Sequence, residues 1–206
     1  MSDDDAPLAL AWRDGDDQAG ARLIERYYDA IVRLFRTKTD RDVDDLVQRT
    51  FLRCAEARDR YKGGSFRAFL FAIARNVLFE KIRARAREAR MLEPDPEVAS
   101  IRDLDPGVST AAWHRREQRI MVEALQTLPL ELQLALELTY WEELSGPELA
   151  EVFGVPAGTI KSRLHRARTL LREAMEALVV PSEVEQSVRE VVERWVAEVQ
   201  PVDAPS

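Results

Sequence analysis

The sequence of 206 residues has few of the side chains from which enzymes build catalytic centres. It contains one cysteine, Cys54, and two histidines, His114 and His165. A single cysteine excludes an internal disulfide and a thiolate metal cluster within one chain. The two histidines lie far apart and outside any HExxH spacing, and glycine loops of the Walker or dinucleotide type are absent. We therefore expect no enzymatic activity, no metal and no cofactor.

Long hydrophobic runs are also absent. No apolar stretch approaches the roughly 20 residues that cross a bilayer, and the N-terminus, Met-Ser-Asp-Asp-Asp, is acidic where a secretory signal would be basic. Hydrophobic residues make up 46% and charged residues 33% of the chain, proportions typical of soluble globular proteins. We expect a cytoplasmic protein without a membrane partner.

The net charge of -7 conceals two basic segments. Acidic residues dominate positions 1–17 and 93–105, whereas basic residues dominate 81–90 and 161–172. No acidic residue occurs from Val152 through Arg172. Because distribution matters more than net charge for a nucleic-acid binder, the pattern predicts two basic surfaces separated by an acidic connector.

Apolar residues recur with helical spacing and strand alternation is nearly absent, so the sequence predicts an all-α fold. Helices are expected over about 19–35 and 43–57, and a third from Ser65. One face of the third helix is apolar from Phe66 onward, and its other face carries Arg67 and Arg75, which would remain in water or meet phosphate. A chain of this length suits two small helical domains.

Prolines divide the chain. Pro94, Pro96 and Pro106, together with acidic residues, predict an extended linker between the two helical domains. The predicted organisation is an acidic N-terminal segment (1–18), a helical domain (19–90), the acidic linker (91–112), a second helical domain (113–178) and a C-terminal extension (179–206).

The extension contains a predicted amphipathic helix over 182–199, whose apolar stripe of valines includes Trp195. An exposed stripe of this width must find cover. It either folds back to complete a small core or covers the basic helix of the second domain until a partner displaces it.

A helix-turn-helix is predicted in the second domain. Ser145 and Glu148 form a capping-box pattern that begins a short helix, and Gly154 ends it. The second helix contains Thr159 to Ala174 and carries an outward basic stripe. That stripe could enter a major groove, with residues near its N-terminal end meeting base edges and later arginines meeting phosphates. The alternative is a solvated basic face on an ordinary helical hairpin.

These residues resemble a known family. The runs 128–129, 144–150 and 158–168 are similar to region 4 of extracytoplasmic-function (ECF) sigma factors, which binds the -35 promoter element. The runs 45–51 and 66–76 resemble region 2, which binds core RNA polymerase and the -10 element. The resemblance covers about residues 20 to 175. It implies a sigma factor that directs core RNA polymerase to promoters and assists their opening.

Site residues follow from the resemblance, position by position. It implies that Asp45 and Gln48 contact the coiled coil of the beta-prime subunit. It implies that the -10 element is bound by Tyr61, Lys62, Ser65, Arg67, Asn76 and Arg83. It implies that the -35 element is bound by Thr159, Lys161, Ser162, Arg163, His165, Arg166 and Arg168. Tyr61 would stack on a flipped base, the alternative being a half-buried loop aromatic. The expected partners are core RNA polymerase (beta-prime and beta subunits) and promoter DNA, with an anti-sigma factor as a further candidate.

Three positions depart from the family pattern. Arg49 replaces a usual acid, which could alter the polymerase contact, and Phe69 replaces a usual tryptophan. Pro156 replaces the usual serine cap, so that its fixed φ must start the second helix.

The acidic linker would either thread a basic channel of polymerase or remain solvated. The competing function is a stand-alone helix-turn-helix regulator, which leaves the runs 45–51 and 66–76 without a role.

Overall fold

The computed structural model describes residues 5–88, 94–104 and 116–178, and within these ranges the regular elements are helices. The N-terminal unit (residues 5–88) contains α1 (Asp5–Arg13), α2 (Asp17–Arg36), α3 (Val43–Ala57), a 3-10 turn (Arg58–Arg60) and α4 (Phe66–Glu88). The C-terminal unit (residues 94–178) contains α5 (Ile101–Leu104), α6 (Arg116–Leu125), α7 (Leu130–Tyr140), α8 (Gly146–Phe153) and α9 (Ala157–Leu178). The predicted all-α class is confirmed.

Helix α1 packs as part of the N-terminal unit, although the sequence pattern placed residues 1–18 in a separate acidic segment. Trp12 is buried against Phe66, with ring centroids 6.4 Å apart. Asp5 is buried as well and accepts hydrogen bonds from Arg26 and Tyr27. The first helix therefore completes the core of this unit rather than preceding it.

Helix α4 is buried on two faces, whereas the sequence predicted one. The predicted stripe is present, and Ala68, Phe71 and Phe79 are buried as well. The second face is covered because α8 of the C-terminal unit packs along α4. One cluster of buried apolar residues consequently runs through both units.

Helix α7 lies at the centre of the C-terminal unit, and all its residues from Leu130 to Leu138 are buried. A helix covered on every side is normally apolar throughout. This one also buries Glu131, Gln133 and Glu137, which therefore require polar partners. Arg75 and Lys38 of the N-terminal unit supply cations to Glu131 and Glu137.

The described part of the linker is hydrogen-bonded to the C-terminal unit, although Asp95, Glu97 and Val98 stay exposed. The Leu130 N–H donates to the Ala99 carbonyl at 3.1 Å, and the Arg102 N–H donates to the Gln126 carbonyl at 3.2 Å. Ile101, in α5, is buried. Residues 94–104 thus follow the C-terminal unit closely, contrary to the extended linker that the prolines predicted. The helix predicted over 182–199 lies outside the described residues.

Candidate nucleic-acid interface

The predicted helix-turn-helix is formed by α8 and α9. The Ser145 Oγ accepts from the Glu148 N–H, and the Glu148 carboxylate accepts from the Ser145 N–H at 2.8 Å, which completes the capping box. Gly154 ends α8 with φ 65°, a conformation that favours glycine. The Pro156 carbonyl accepts from the Thr159 and Ile160 N–H groups in the first turn of α9. Pro156 therefore lies immediately before α9, which begins at Ala157.

The first turns of α9 present a polar and basic surface to solvent. Lys161, Ser162, His165 and Arg166 are exposed, and Thr159 is partly exposed. The opposite side of the helix is buried through Ile160, Leu164, Ala167 and Leu171. The exposed residues therefore lie along one accessible side, as a helix that enters a major groove requires.

Arg163 lies on a different side of α9 and is held by the protein. Its side chain is only 15% exposed and contacts Glu97 at 2.5 Å and Glu131 at 3.3 Å. Its guanidinium also lies 5.6 Å from the centre of the Phe153 ring. In this conformation Arg163 joins the linker, α7 and α8, and it is not among the residues that face solvent.

Arg168 also contacts the protein. Its Nε donates to the Tyr140 hydroxyl at 2.8 Å, and its guanidinium lies 6.0 Å from the centre of that ring. These contacts fix the middle of α9 against the end of α7. A DNA contact by Arg168 would have to share the guanidinium with Tyr140.

The loop before α4 separates the predicted residues into exposed and buried ones. Lys62 is exposed, and Gly63 and Gly64 have φ of 101° and 92°, which only glycine adopts readily. Tyr61 is buried: its ring packs 5.6 Å from Phe69 and its hydroxyl donates to the Gly64 carbonyl. The stacking face expected of Tyr61 is therefore covered in this conformation, and its role in strand capture stays a prediction.

Helix α4 divides the remaining -10 candidates in the same way. Asn76 and Arg83 are exposed. Ser65 and Arg67 instead contact α8: the Ser65 hydroxyl donates to Glu148 Oε1 at 2.5 Å, and an Arg67 nitrogen lies 3.0 and 3.2 Å from its two carboxylate oxygens. Arg67 also donates to the Glu142 carbonyl at 3.1 Å. Two predicted DNA-binding side chains are thus bound by one glutamate.

The Glu148 carboxylate is firmly ionised. Burial alone would raise its pKa, but hydrogen bonds from Ser65 and Ser145 and the charge of Arg67 outweigh burial and lower the pKa to about 2. Glu148 therefore carries a full negative charge at neutral pH. The sequence identified it as a capping residue and gave no indication of its second set of partners.

Further ion pairs join the two units. Arg33 of α2 contacts Glu142 at 2.6 Å, Arg75 of α4 contacts Glu131, and Lys38 contacts Glu137. In each pair the N-terminal unit supplies the cation and the C-terminal unit supplies the carboxylate. The sequence analysis missed these carboxylates. The sequence did contain a signal for two of them, because Glu131 and Glu137 lie within the leucine-rich α7. Carboxylates on a buried helix need polar partners.

The predicted polymerase-binding residues are exposed on α3. Asp45 and Gln48 are both accessible, and Arg49 lies 3.7 Å from the Asp45 carboxylate one turn away. Arg49 therefore lies within reach of Asp45 at the protein surface, where such pairs interact weakly. Next to them the structure adds an apolar patch that the sequence analysis missed: Tyr28 is 46% and Leu52 is 55% exposed.

Phe51 belongs to this patch, because its ring stacks on that of Tyr28 with centroids 6.4 Å apart. The Phe51 side chain is partly buried. An exposed apolar patch beside polar residues is typical of a protein-binding surface.

Other kinds of site find no support in the part of the chain described. No group of three or more histidine, cysteine or acidic residues there could hold a metal ion. Cys54 is buried, and burial raises the pKa of its thiol to about 12, so it is not a reactive thiolate. No described helix is long and apolar enough to cross a bilayer.

These features define a helical protein with a DNA-binding helix-turn-helix in one unit and a second basic surface in the other. Comparison with known proteins gives the family. Residues 23–88 match the family model of sigma-70 region 2, and residues 118–171 match that of sigma-70 region 4. The chain belongs to the sigma-70 family, in its ECF group.

Individual relatives agree with this assignment. ECF RNA polymerase sigma factor SigE of Mycolicibacterium smegmatis is 31% identical over 153 residues, which cover 73% of this chain and 59% of the relative. The ECF RNA polymerase sigma-E factor of Haemophilus influenzae is 28% identical over 184 residues, 85% of this chain and 97% of the relative. Among solved structures, sigma factor RpoE in complex with the anti-sigma factor NepR from Bartonella quintana matches with a TM-score of 0.61 and 25% identity, over 76% of this chain and 96% of that chain.

Proposed function

We infer that this protein is a sigma factor that directs core RNA polymerase to specific promoters and assists promoter opening. The observation that carries this function is the presence, in order, of both sigma-70 regions, each with an exposed polar surface of its own. A stand-alone helix-turn-helix regulator explains the α8–α9 surface alone. It leaves the exposed α3 surface and the basic α4 without a role.

We assign -35 recognition to the exposed side of α9, with Lys161, Ser162 and His165 near base edges. Arg166 and Thr159 would meet the DNA backbone. Arg163 and Arg168 would join them only if their present contacts are released. Base-edge contacts near the start of the helix would determine sequence preference, and phosphate contacts would fix its position.

The -10 strand would meet the N-terminal unit along the loop and α4. Lys62, Asn76 and Arg83 are exposed on this side of the unit. Opening about ten base pairs costs on the order of 14 kcal/mol at ~1.4 kcal/mol per stacking step. Each captured base returns only ~1–3 kcal/mol. The protein therefore needs polymerase to share the work of opening the promoter. We propose that it acts in the cytoplasm as a subunit of polymerase and has no catalytic chemistry of its own.

Polymerase would contact α3 through Asp45 and Gln48, together with the apolar patch of Tyr28, Phe51 and Leu52. An anti-sigma factor is a further proposed partner, since one is named in the matched RpoE complex. Such a partner would restrain the protein until a signal releases it.

Association with core RNA polymerase tests this function. The purified protein should co-elute with core polymerase in size-exclusion chromatography. Asp45→Ala combined with Gln48→Ala should weaken the complex about tenfold or more, because both lost contacts are polar interface contacts. Glu176→Ala on α9 is the matched control and should bind normally. A wild-type protein that binds promoter DNA alone but never co-elutes with core polymerase would support the regulator instead.

A further inference from the structure

Two arginines tie α9 to opposite ends of α7. Arg163 contacts Glu131, the second residue of α7, at 3.3 Å. Arg168 donates through its Nε to the hydroxyl of Tyr140, the last residue of α7, at 2.8 Å. The two contacts lie about 13 Å apart along α7 at 1.5 Å per residue. Helix α9 is therefore held at two separate points on one neighbouring helix.

The two arginines lie on either side of the buried stripe of α9. That stripe consists of Ile160, Leu164, Ala167, Leu171 and Met175. Because successive residues of an α-helix are turned by about 100°, Arg163 lies about 80° to one side of the centre of the stripe and Arg168 about 60° to the other. Rotation of α9 about its own axis, in either direction, would stretch one of the two contacts. The pair therefore resists rotation, which non-directional apolar packing opposes less.

Arg163 is the more firmly held of the two arginines. Its side chain is 15% exposed, and its second terminal nitrogen contacts Glu97 at 2.5 Å. Glu131 is buried, and its two carboxylate oxygens are divided between Arg163 and Arg75 of α4. The Arg163 guanidinium also lies 5.6 Å from the centre of the ring of Phe153, the last residue of α8. Arg163 therefore joins both helices of the helix-turn-helix to α7.

We propose that Glu131 and Tyr140 are positioning residues for -35 recognition, and that they fix the rotation of α9 through the two flanking arginines. This inference rests on the proposed function, because it concerns the same DNA-binding side of α9. It gives Arg163 and Arg168 a supporting role in place of the DNA contact that the family resemblance implies.

Recognition of base edges depends on the rotation of the helix. At the outer radius of a helix, about 5–6 Å, a rotation of about 20° moves the end of a side chain by about 2 Å. A hydrogen bond to a base edge does not survive such a shift. A contact between a long cation and a phosphate tolerates it better, because Coulomb attraction falls slowly with distance. Loss of positioning should therefore reduce base preference and leave the electrostatic part of binding unchanged.

Salt-dependent binding of polymerase holoenzyme to promoter DNA tests the positioning role. Arg163→Gln removes one of the two cations at Glu131, and Arg75 still pairs with that carboxylate. Holoenzyme that contains the variant should lose about tenfold of its preference for the best -35 sequence over single-base variants, which corresponds to one base contact. The slope of log K against log salt concentration should stay unchanged, because no phosphate contact is lost.

Arg166→Gln is the matched control, because Arg166 is exposed on the same helix and is assigned to the DNA backbone. This variant should weaken binding to every sequence equally and make the salt slope shallower by about one. Circular dichroism and urea unfolding establish that both variants are folded.

Tyr140→Phe tests the second contact, because it removes the hydroxyl and keeps the ring. It should lower the -35 preference about threefold, since one hydrogen bond is lost. In a protein that already carries Arg168→Gln, the same change should have no further effect, because the hydroxyl acts through Arg168. An equal effect in both backgrounds would contradict the positioning role of Tyr140.

The outcomes distinguish this inference from the proposed function. If Arg163→Gln leaves the -35 preference unchanged and makes the salt slope shallower by about one, Arg163 binds phosphate, positioning is wrong and the function stands. A folded variant that changes neither quantity would also overturn positioning. If holoenzyme with the wild-type protein shows no -35 preference, the assignment of -35 recognition fails and the positioning role fails with it.

Discussion

The cations of α9 serve two different purposes. Those in its exposed first turns are accessible to DNA, whereas Arg163 and Arg168 hold the helix against Glu131 and Tyr140. A basic stripe in the sequence cannot separate these roles, because the partner of each arginine lies elsewhere in the chain. The exposed cations in the first turns of α9 are therefore better candidates for sequence recognition than Arg163 and Arg168.

Lys161→Ala tests that assignment. If Lys161 meets a base edge, the variant should lose roughly 1–3 kcal/mol of binding to the -35 element and relax the preference at one base position. The measurement is binding of polymerase holoenzyme to a panel of single-base promoter variants. Lys62→Ala is the control and should leave -35 preference unchanged. An equal loss on every sequence, with a salt slope shallower by about one, would mean that Lys161 contacts only phosphate.

Lys38 and Glu137 form a fully buried pair, and Gln133 donates to the same carboxylate at 2.8 Å. Burial lowers the pKa of Lys38, opposed by the charge and hydrogen bond of Glu137. A lowered pKa indicates that the folded environment disfavours the ammonium charge. The pair is therefore not expected to stabilise the fold more than apolar residues would.

A double-mutant cycle in urea unfolding checks this expectation. Lys38→Met should destabilise the protein by about 3–5 kcal/mol, because Glu137 is left buried without its cation. Lys38→Met combined with Glu137→Leu should recover most of that loss. A single variant as stable as the wild type would show that the pair is solvated in solution.

At the scale of elements, the contact of α1 with α2 depends on one glycine. A Cβ at Gly20 would lie 2.3 Å from the Trp12 Nε1, whereas a Cβ at Gly158 in α9 would meet nothing within 4 Å. Both glycines lie in helices, where alanine is intrinsically favoured by roughly 0.5–1 kcal/mol. Only at Gly20 does packing oppose that preference.

Gly20→Ala should therefore lower the free energy of unfolding by about 1–3 kcal/mol, because the indole ring must move in a packed core. Gly158→Ala should raise it by about 0.5–1 kcal/mol. Urea unfolding followed by far-ultraviolet circular dichroism measures both. Equal stabilisation by the two substitutions would mean that α1 does not pack on α2 in solution.

The elements that sequence predicts best are those with local signals. The capping box at Ser145, the glycine at 154 and the proline at 156 place the ends of α8 and α9 within a few residues. Helix α1 was missed because the acidic residues on either side of it suggested a separate acidic segment, although Asp5 is buried and accepts hydrogen bonds from Arg26 and Tyr27. The packed linker was missed because prolines indicate a break in helix and carry no information on what the chain then contacts.

Contacts between the units could not be predicted from local patterns. Arg67 and Glu148 are 81 positions apart. In the sequence Arg67 resembles an ordinary solvated cation, and Glu148 is recognisable only as a helix-capping residue. The burial of Tyr61 depends likewise on how the rings of Phe66 and Phe69 pack around it. The family resemblance implied roles for individual residues, whereas the structure shows which side chains those residues contact within the chain.

At the scale of the whole molecule, net charge and function are reconciled by the arrangement of the charges. The chain carries -7 overall, yet the exposed start of α9 is basic, and much of the remaining basic surface faces the protein's own carboxylates. The molecule therefore has one exposed basic helix face, at the start of α9, and several other cations that are paired with carboxylates of the chain itself.

Mapping of transcript 5′ ends tests the central claim most directly. Core RNA polymerase would transcribe genomic DNA fragments in vitro with and without the purified protein. The account predicts new start sites that appear only with the protein and share two sequence elements near -35 and -10. If the start sites and their abundance match those of core polymerase alone, while the protein is folded and present in excess, the protein is not a sigma factor.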